Sequence, residues 1–277
     1  VTGQGNATGR VPVRLAPCQF KELEYAVEVP AATERTDASL TLSLVRGQDV
    51  VYEQKLNCTV WPREPLATAP KGAVLFDPNR ATAKLLGAGW QRIDSLAAVP
   101  PEADLLVVGD GAFAASESPT PVIGDEKSEA TALAGFLDRG GTVLVLAQTT
   151  YPAGLFPTNL TDRNPTMCFA TMADHPALAG LTSADLRWWA GDGEHGVAVR
   201  EPSRPVGGRA LVVSGSGNGL QTAPLIEYPA GAGTILLSQL RLVEKADREP
   251  AARRLLSNLI RHAADHPQQR KRLRVLS

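Results

Sequence analysis

Apolar and polar side chains alternate with period two over Leu23-Glu24-Tyr25-Ala26-Val27-Glu28-Val29 and again over Leu40-Thr41-Leu42-Ser43-Leu44, the pattern of half-buried strands. After a turn at Arg46-Gly47-Gln48-Asp49, Val50–Leu56 runs back, which predicts a β-hairpin. These are too few strands for a free-standing sandwich, so a partner surface or upstream strands should complete it. From residue 72 the pattern changes. Gly72–Phe76 is a short, wholly apolar run, and Asp104–Gly109 holds another in Leu105–Val108, as expected of strands buried on both faces. Asp77-Pro78 predicts a helix running to about Gly87, with Asp77 as N-cap and Pro78 at the first helical position. A second helix is expected after Asp125, with Ala130, Leu133, Ala134 and Leu137 on its inner face and Gly140 at its end.

Gly140-Gly141 then opens the run Thr142–Ala147, and Gln148-Thr149-Thr150 follow. The order β-α-β-α-β with continuous apolar strands predicts an α/β fold: a flavodoxin-like, mostly parallel sheet with flanking helices. Beyond residue 150, short strands are expected near 166–170, 196–200 and 209–214. A last hairpin joins 223–228 to 233–238. A closing helix from about Arg248 to Ala264 buries Leu255, Leu256, Leu259 and Ile260 and turns Arg253, Arg254, Asn258 and Arg261 outward. The expected organisation is a sandwich-like β module over 1–65, a Pro-held linker over 66–71, the α/β domain over 72–265 and a basic tail over 266–277.

Composition adds limits. In 277 residues, 43% hydrophobic and 21% charged content is that of a chain able to bury a core. A net charge of −1 gives no long-range attraction to nucleic acid. No apolar run approaches the roughly 18 residues needed to span a bilayer, so neither a nucleic-acid nor a membrane partner is expected. Val1-Thr2-Gly3 has no initiator Met and reads like the interior of a longer polypeptide. The three cysteines and four histidines show no metal-ligand spacing, so no metal site is expected. Cys18 and Cys58 could pair in an oxidising compartment, or remain free thiols.

The second half carries an ordered series: Asp174-His175-Pro176-Ala177-Leu178-Ala179-Gly180-Leu181, Asp185-Leu186-Arg187-Trp188-Trp189, Gly219-Leu220, Pro224-Leu225-Ile226-Glu227 and Gly231–Leu240. This series resembles the class I glutamine-amidotransferase-like domains near the C-terminus of large bacterial glycoside hydrolases, including the β-galactosidase trimerisation and ThuA-like groups. The segment ending Cys58-Thr59-Val60-Trp61-Pro62 resembles the immunoglobulin-like module that precedes such a domain in glycoside hydrolase family 2-like proteins. Catalytic amidotransferases place a nucleophilic Cys at the turn after the strand matching 141–147, with a His and a Glu near the end of the domain. Here Ala147 and Gln148 stand at the elbow, and Glu194-His195 has the wrong order and spacing. The resemblance therefore implies the fold without its chemistry. It implies a non-catalytic, cofactor-free region of a secreted or periplasmic bacterial glycosidase, packing against the upstream catalytic domain of the same polypeptide or forming a homo-oligomer.

Several residues invite a chemical reading. Asp77, Asn79, Asp110, Gln148, Thr149, Thr150 and Tyr151 follow the C-terminal ends of predicted parallel strands and could line a ligand crevice; capping and turn formation explain them as well. Trp188-Trp189 could stack on a sugar in a carbohydrate-binding module, although neighbouring side chains diverge and at least one should be core. Asp192, Glu194 and His195 form the best acid/base cluster for an autonomous hydrolase, or are solvated loop charges. Gly215-Ser216-Gly217-Asn218-Gly219 lacks the Lys of a phosphate loop and reads as a turn. Asp174-His175-Pro176 reads as a helix start, with Asp174 as the cap and His175 bonding locally. Gln239, at the end of the last strand, should be a buried structural amide close to the sheet edge.

Overall fold

The computed structural model describes residues 8–24, 26, 29, 31–113, 126–156, 158–189, 196–204, 206–214 and 222–265. The chain divides into two units, Val1–Pro65 and Leu66–Ser277. In the first, β1 (Thr36–Arg46) and β2 (Asp49–Val60) pair antiparallel with Leu40 opposite Leu56 and Leu44 opposite Tyr52. Alternation gathers Leu40, Leu42, Leu44, Tyr52 and Leu56 on one face of this ribbon and Thr41, Ser43, Glu53 and Lys55 on the other. The hairpin is the expected one, extended by several residues at each end. The described residues of 23–29 form no strand; period-two alternation favours a strand only where a neighbouring edge accepts its backbone bonds. Cys18 and Cys58 are exposed free thiols.

The second unit contains one eight-stranded sheet: β3 (Ala73–Phe76), β4 (Gln91–Ile93), β5 (Leu105–Val108), β6 (Thr142–Val145), β7 (Cys168–Ala170), β8 (Arg209–Ser214), β9 (Leu225–Ala230) and β10 (Gly233–Ser238). Their spatial order is β4-β3-β5-β6-β10-β9-β8-β7. The first five are parallel, and the last three extend the sheet antiparallel from β10. Numbered by position in the parallel part, the order is 2-1-3-4-5, that of the flavodoxin-like fold. The molecule is thus α/β, a mixed but mostly parallel sheet accompanied by a small β unit.

Side-chain alternation divides the core in two. Val74, Phe76, Leu106, Val108, Val143, Val145, Ile235 and Leu237 share one face with Leu133, Phe136 and Leu137 of α2 (Glu126–Asp138). Leu75, Leu105, Val107, Leu144 and Leu236 point the other way, where α4 (Pro250–Ala264) packs on β6 and on the short helix α3 (Leu242–Lys245). Leu255, Leu256, Leu259 and Ile260 are fully buried there, each worth about 1.5–3 kcal/mol of apolar burial. The inner face of α2 differs from expectation: Ala134 is exposed, while Glu129 and Phe136 are buried. The phenyl ring explains the glycine that follows. Gly140 takes a left-handed φ of 94° to end the helix, and a Cβ at Gly141 would collide with Phe136.

Four further local expectations need correction. Helix α1 (Ala81–Leu86) starts three residues after Pro78, which lies in the preceding turn; Asp77 caps from a distance, its Oδ2 accepting the Ala83 N–H at 2.7 Å. Asn258 is buried in α4 because its amide donates to the Ala179 carbonyl at 2.9 Å. Arg253 also turns back, its Nε donating to the Ala246 carbonyl at 3.0 Å, leaving Arg261 as the exposed member. The run 196–200 supplies a single bridge, Ala198 to Leu240. Residue Ala67, inside the expected linker, is buried and donates its N–H to Ser257 Oγ at 3.1 Å.

Candidate functional site

In an open α/β sheet the strand order reverses at one point, and the crevice there lies outside the carboxyl ends of the strands. Here the reversal falls between β3 and β5, whose ends deliver Asp77 and Gly109-Asp110. Asp77 is buried. Its Oδ1 has no hydrogen-bond partner among the described residues and rests against Gly109, where an added Cβ would lie 2.5 Å away. Only glycine fits beside that carboxylate. The Asp110 N–H donates to Thr82 Oγ1 at 2.8 Å, and its carbonyl accepts from Asn79 Nδ2 at 2.7 Å. Asn79 also accepts the Ala81 N–H at 3.1 Å. Burial, then the charges of Glu244 and Asp77, push the Asp110 carboxyl up to about 7, against the opposing pull of Arg241. Asp110 is therefore the group here able to exchange a proton near neutrality. Glu244 itself is held below the usual range; burial works against this, but hydrogen bonds from Lys245 and Arg241 outweigh it.

The elbow after β6 is built differently. Gln148 Oε1 accepts the Phe113 N–H at 3.0 Å, and its Nε2 donates to the carbonyls of Gly109 at 2.6 Å and Leu146 at 2.9 Å. Gln239, at the end of β10, accepts the Gln148 N–H at 2.7 Å and donates back to the Gln148 carbonyl at 3.2 Å. Gln239 is fully buried, and β10 lies between β6 and β9, so this amide sits inside the sheet and not at its edge. Together the two amides stitch the ends of β5, β6 and β10. Tyr151 joins them through a 3.4 Å bond from Gln239 Nε2, and burial drives its phenol well above the usual range. Thr149 and Thr150 are exposed, and Arg200 Nη1 donates to the Thr149 carbonyl at 2.8 Å.

The tryptophan pair divides as geometry requires. Trp189 is 1% exposed and donates its indole N–H to the Asp185 carbonyl at 2.7 Å. Trp188 is 57% exposed on a left-handed backbone with φ of 53°. Asp192, Glu194, His195 and the glycine loop 215–219 lie outside the described residues. Asp174 is exposed; His175 caps the following short turn instead, its Nδ1 accepting the Ala177 N–H at 3.3 Å.

No family model matches this chain. None of the curated proteins matches it either. Solved structures do. A β-galactosidase from Rahnella sp. R3 aligns at 11% identity and TM-score 0.40, over 69% of this chain and 30% of the other. A ThuA-like protein from Bacteroides uniformis aligns at 11% identity and TM-score 0.43, over 74% and 94% respectively. An exo-β-1,4-mannosidase from Opitutaceae bacterium strain TAV5 aligns at 13% identity and TM-score 0.42, over 71% and 36%. This chain thus spans about a third of each glycosidase it matches.

One cluster escaped the sequence reading. Glu227 on β9, His262 near the end of α4 and His175 in the turn after β7 converge under the α4 face, all buried. His262 Nε2 lies 3.0 Å from Glu227 Oε1, and His175 Nε2 lies 3.8 Å from Oε2. Arg209 Nη1 adds a contact at 3.4 Å. Burial alone would raise the Glu227 carboxyl, but the two imidazoles hold it far below the usual range. Thr82, Arg241 and Glu244, which frame Asp110, were also missed.

Proposed function

We propose that this chain is a non-catalytic structural region of a larger, secreted or periplasmic carbohydrate-active enzyme, packing against the catalytic domain or a second copy. The observation that carries this reading is the Gln148–Gln239 pair. At the strand end where an acyl-transfer enzyme of this topology needs a nucleophile, the side chain is an amide whose oxygen and nitrogen both bond the backbone. A nucleophile must be exposed and set beside a base; Gln148 is buried and works as a tie. The motif series from Asp174 to Leu240 supports the link to glycoside hydrolases. The test is to purify the chain and assay it with aryl glycosides and with glutamine, alongside light scattering. The expected result is no turnover and a stable oligomer. Turnover that Glu194→Ala or Asp110→Asn abolishes would overturn the proposal.

A second reading, carbohydrate binding, has Trp188 in its favour, since a largely exposed indole offers a flat apolar surface to a sugar ring. Saturable oligosaccharide binding by calorimetry that disappears in Trp188→Ala would establish it; flat isotherms would dismiss it.

A further inference from the structure

We propose that His175, Glu227 and His262 form a binding site for a divalent transition metal, zinc in the first instance. The site is independent of the structural role proposed above and lies on a different part of the sheet from the strand-end crevice.

The geometry carries the proposal. Three side chains from three separate elements each offer one ligand atom, and those atoms all lie within 4.8 Å of one another. Tetrahedral zinc with bonds near 2.0–2.1 Å separates its ligands by about 3.3–3.4 Å. His262 Nε2 lies 3.0 Å from Glu227 Oε1 and His175 Nε2 lies 3.8 Å from Oε2, each within half an ångström of that value, and the remaining pair of ligand atoms falls within 4.8 Å. Small rotations of the two rings, which meet edge to face with centroids 4.6 Å apart, bring both nitrogens to one ion. Two imidazoles and one carboxylate suit zinc and its neighbours in the series, whereas calcium and magnesium require an oxygen-rich cage.

The surroundings permit occupation and define what it changes. Arg209 touches Glu227 Oε2 at 3.4 Å, but its side chain is 56% exposed, so the guanidinium can withdraw into water and leave that oxygen to the ion. Metal on His175 Nε2 places the ring proton on Nδ1, so the 3.3 Å bond from the Ala177 N–H is given up. An ion here would brace β9 to the end of α4 and to the 175–178 turn, ties otherwise separated by 52 and 35 residues of chain.

The experiment uses the full chain carrying C18S, C58S, H195A and H266A, which removes the exposed thiols and the other two histidines as adventitious ligands. Stripped protein is titrated with Zn²⁺ by calorimetry and with Co²⁺ by visible absorption. We expect one equivalent of zinc, the d–d bands of four-coordinate Co²⁺ and a higher unfolding midpoint with metal. His262→Ala and His175→Ala should each weaken binding about 100-fold. Glu227→Gln keeps the side chain's shape and can still hydrogen-bond an imidazole, so it should fold and yet lose the Co²⁺ bands. The Co²⁺ spectrum of the unsubstituted triad needs no further variant. No binding to that protein, or binding unchanged in both histidine variants, overturns the proposal.

Discussion

Replacing Gln148 tests the role assigned to the elbow. In Gln148→Ala the Phe113 N–H loses its acceptor and the Leu146 carbonyl loses a donor, while the Gly109 carbonyl keeps a bond from Ala112. Phe113 is buried, so an orphaned donor there costs about 1–3 kcal/mol. Losing one buried methylene, Cγ, adds about 0.8 kcal/mol. The sum is a destabilisation of about 2–4 kcal/mol, a large part of the ~5–15 kcal/mol that holds a domain together. Gln148→Glu separates hydrogen bonding from packing. One carboxylate oxygen still accepts from Phe113, but the other faces the carbonyls of Gly109 and Leu146, and only the protonated acid can donate to them. Its folded-state pKa is then raised above the unfolded value. Stability should be near wild type below about pH 4 and be lost as pH rises through the folded pKa. Urea unfolding followed by circular dichroism from pH 4 to 8 measures both effects. The reasoning is refuted if Gln148→Ala falls within about 0.5 kcal/mol of wild type, the range of an exposed site, or if Gln148→Glu shows no added pH dependence.

Other substitutions probe the neighbouring geometry. Asp110, whose carboxyl is raised from 3.8 to about 7, makes the wild-type fold lose stability as pH rises across that window. The slope is at most about 1.4 kcal/mol per pH unit and is reduced by solvent screening because the residue is only partly buried. Asp110→Asn should flatten it in the same urea titration. Gly109→Ala drives a methyl into Asp77 Oδ1 and should cost about 2 kcal/mol; combined with Asp77→Ala, thermal unfolding should show a coupling of about 1 kcal/mol or more. Trp189→Ala should cost about 3–5 kcal/mol, and Trp188→Ala less than about 0.5 kcal/mol, because the first empties a core position and the second leaves the surface.

What the sequence made legible follows from how far each cause reaches along the chain. The apolar runs of β3, β5 and β6 and the heptad-like face of α4 are local, and they gave the parallel sheet and its closing helix because burial on both faces leaves no polar position to blur the pattern. Asp77 shows the same logic failing by three residues: an Asp-Pro pair announces a helix start, but only the folded turn decides that its carboxylate reaches Ala83 and that Arg80 takes the left-handed cap. Helical spacing places Ala134 inward, yet the buried stripe is Glu129, Leu133, Phe136 and Leu137, at i, i+4, i+7 and i+8, so the period is the expected one and its phase is set by the bulk of Phe136. The polar sites depend on contacts that no window contains. Gln148 meets Gln239 across 91 residues, and Asp110 has its pKa raised first by burial in the folded domain and then by Glu244, 134 residues away. His175, Glu227 and His262 lack local ligand spacing because each comes from a different element. It is the antiparallel extension β9-β8-β7, added beyond the five parallel strands, that carries Glu227 under α4 and turns three separate polar residues into one buried cluster. Metal spacing rules read sequential ligands on one or two elements; a site assembled by sheet order can be read only after the order is known.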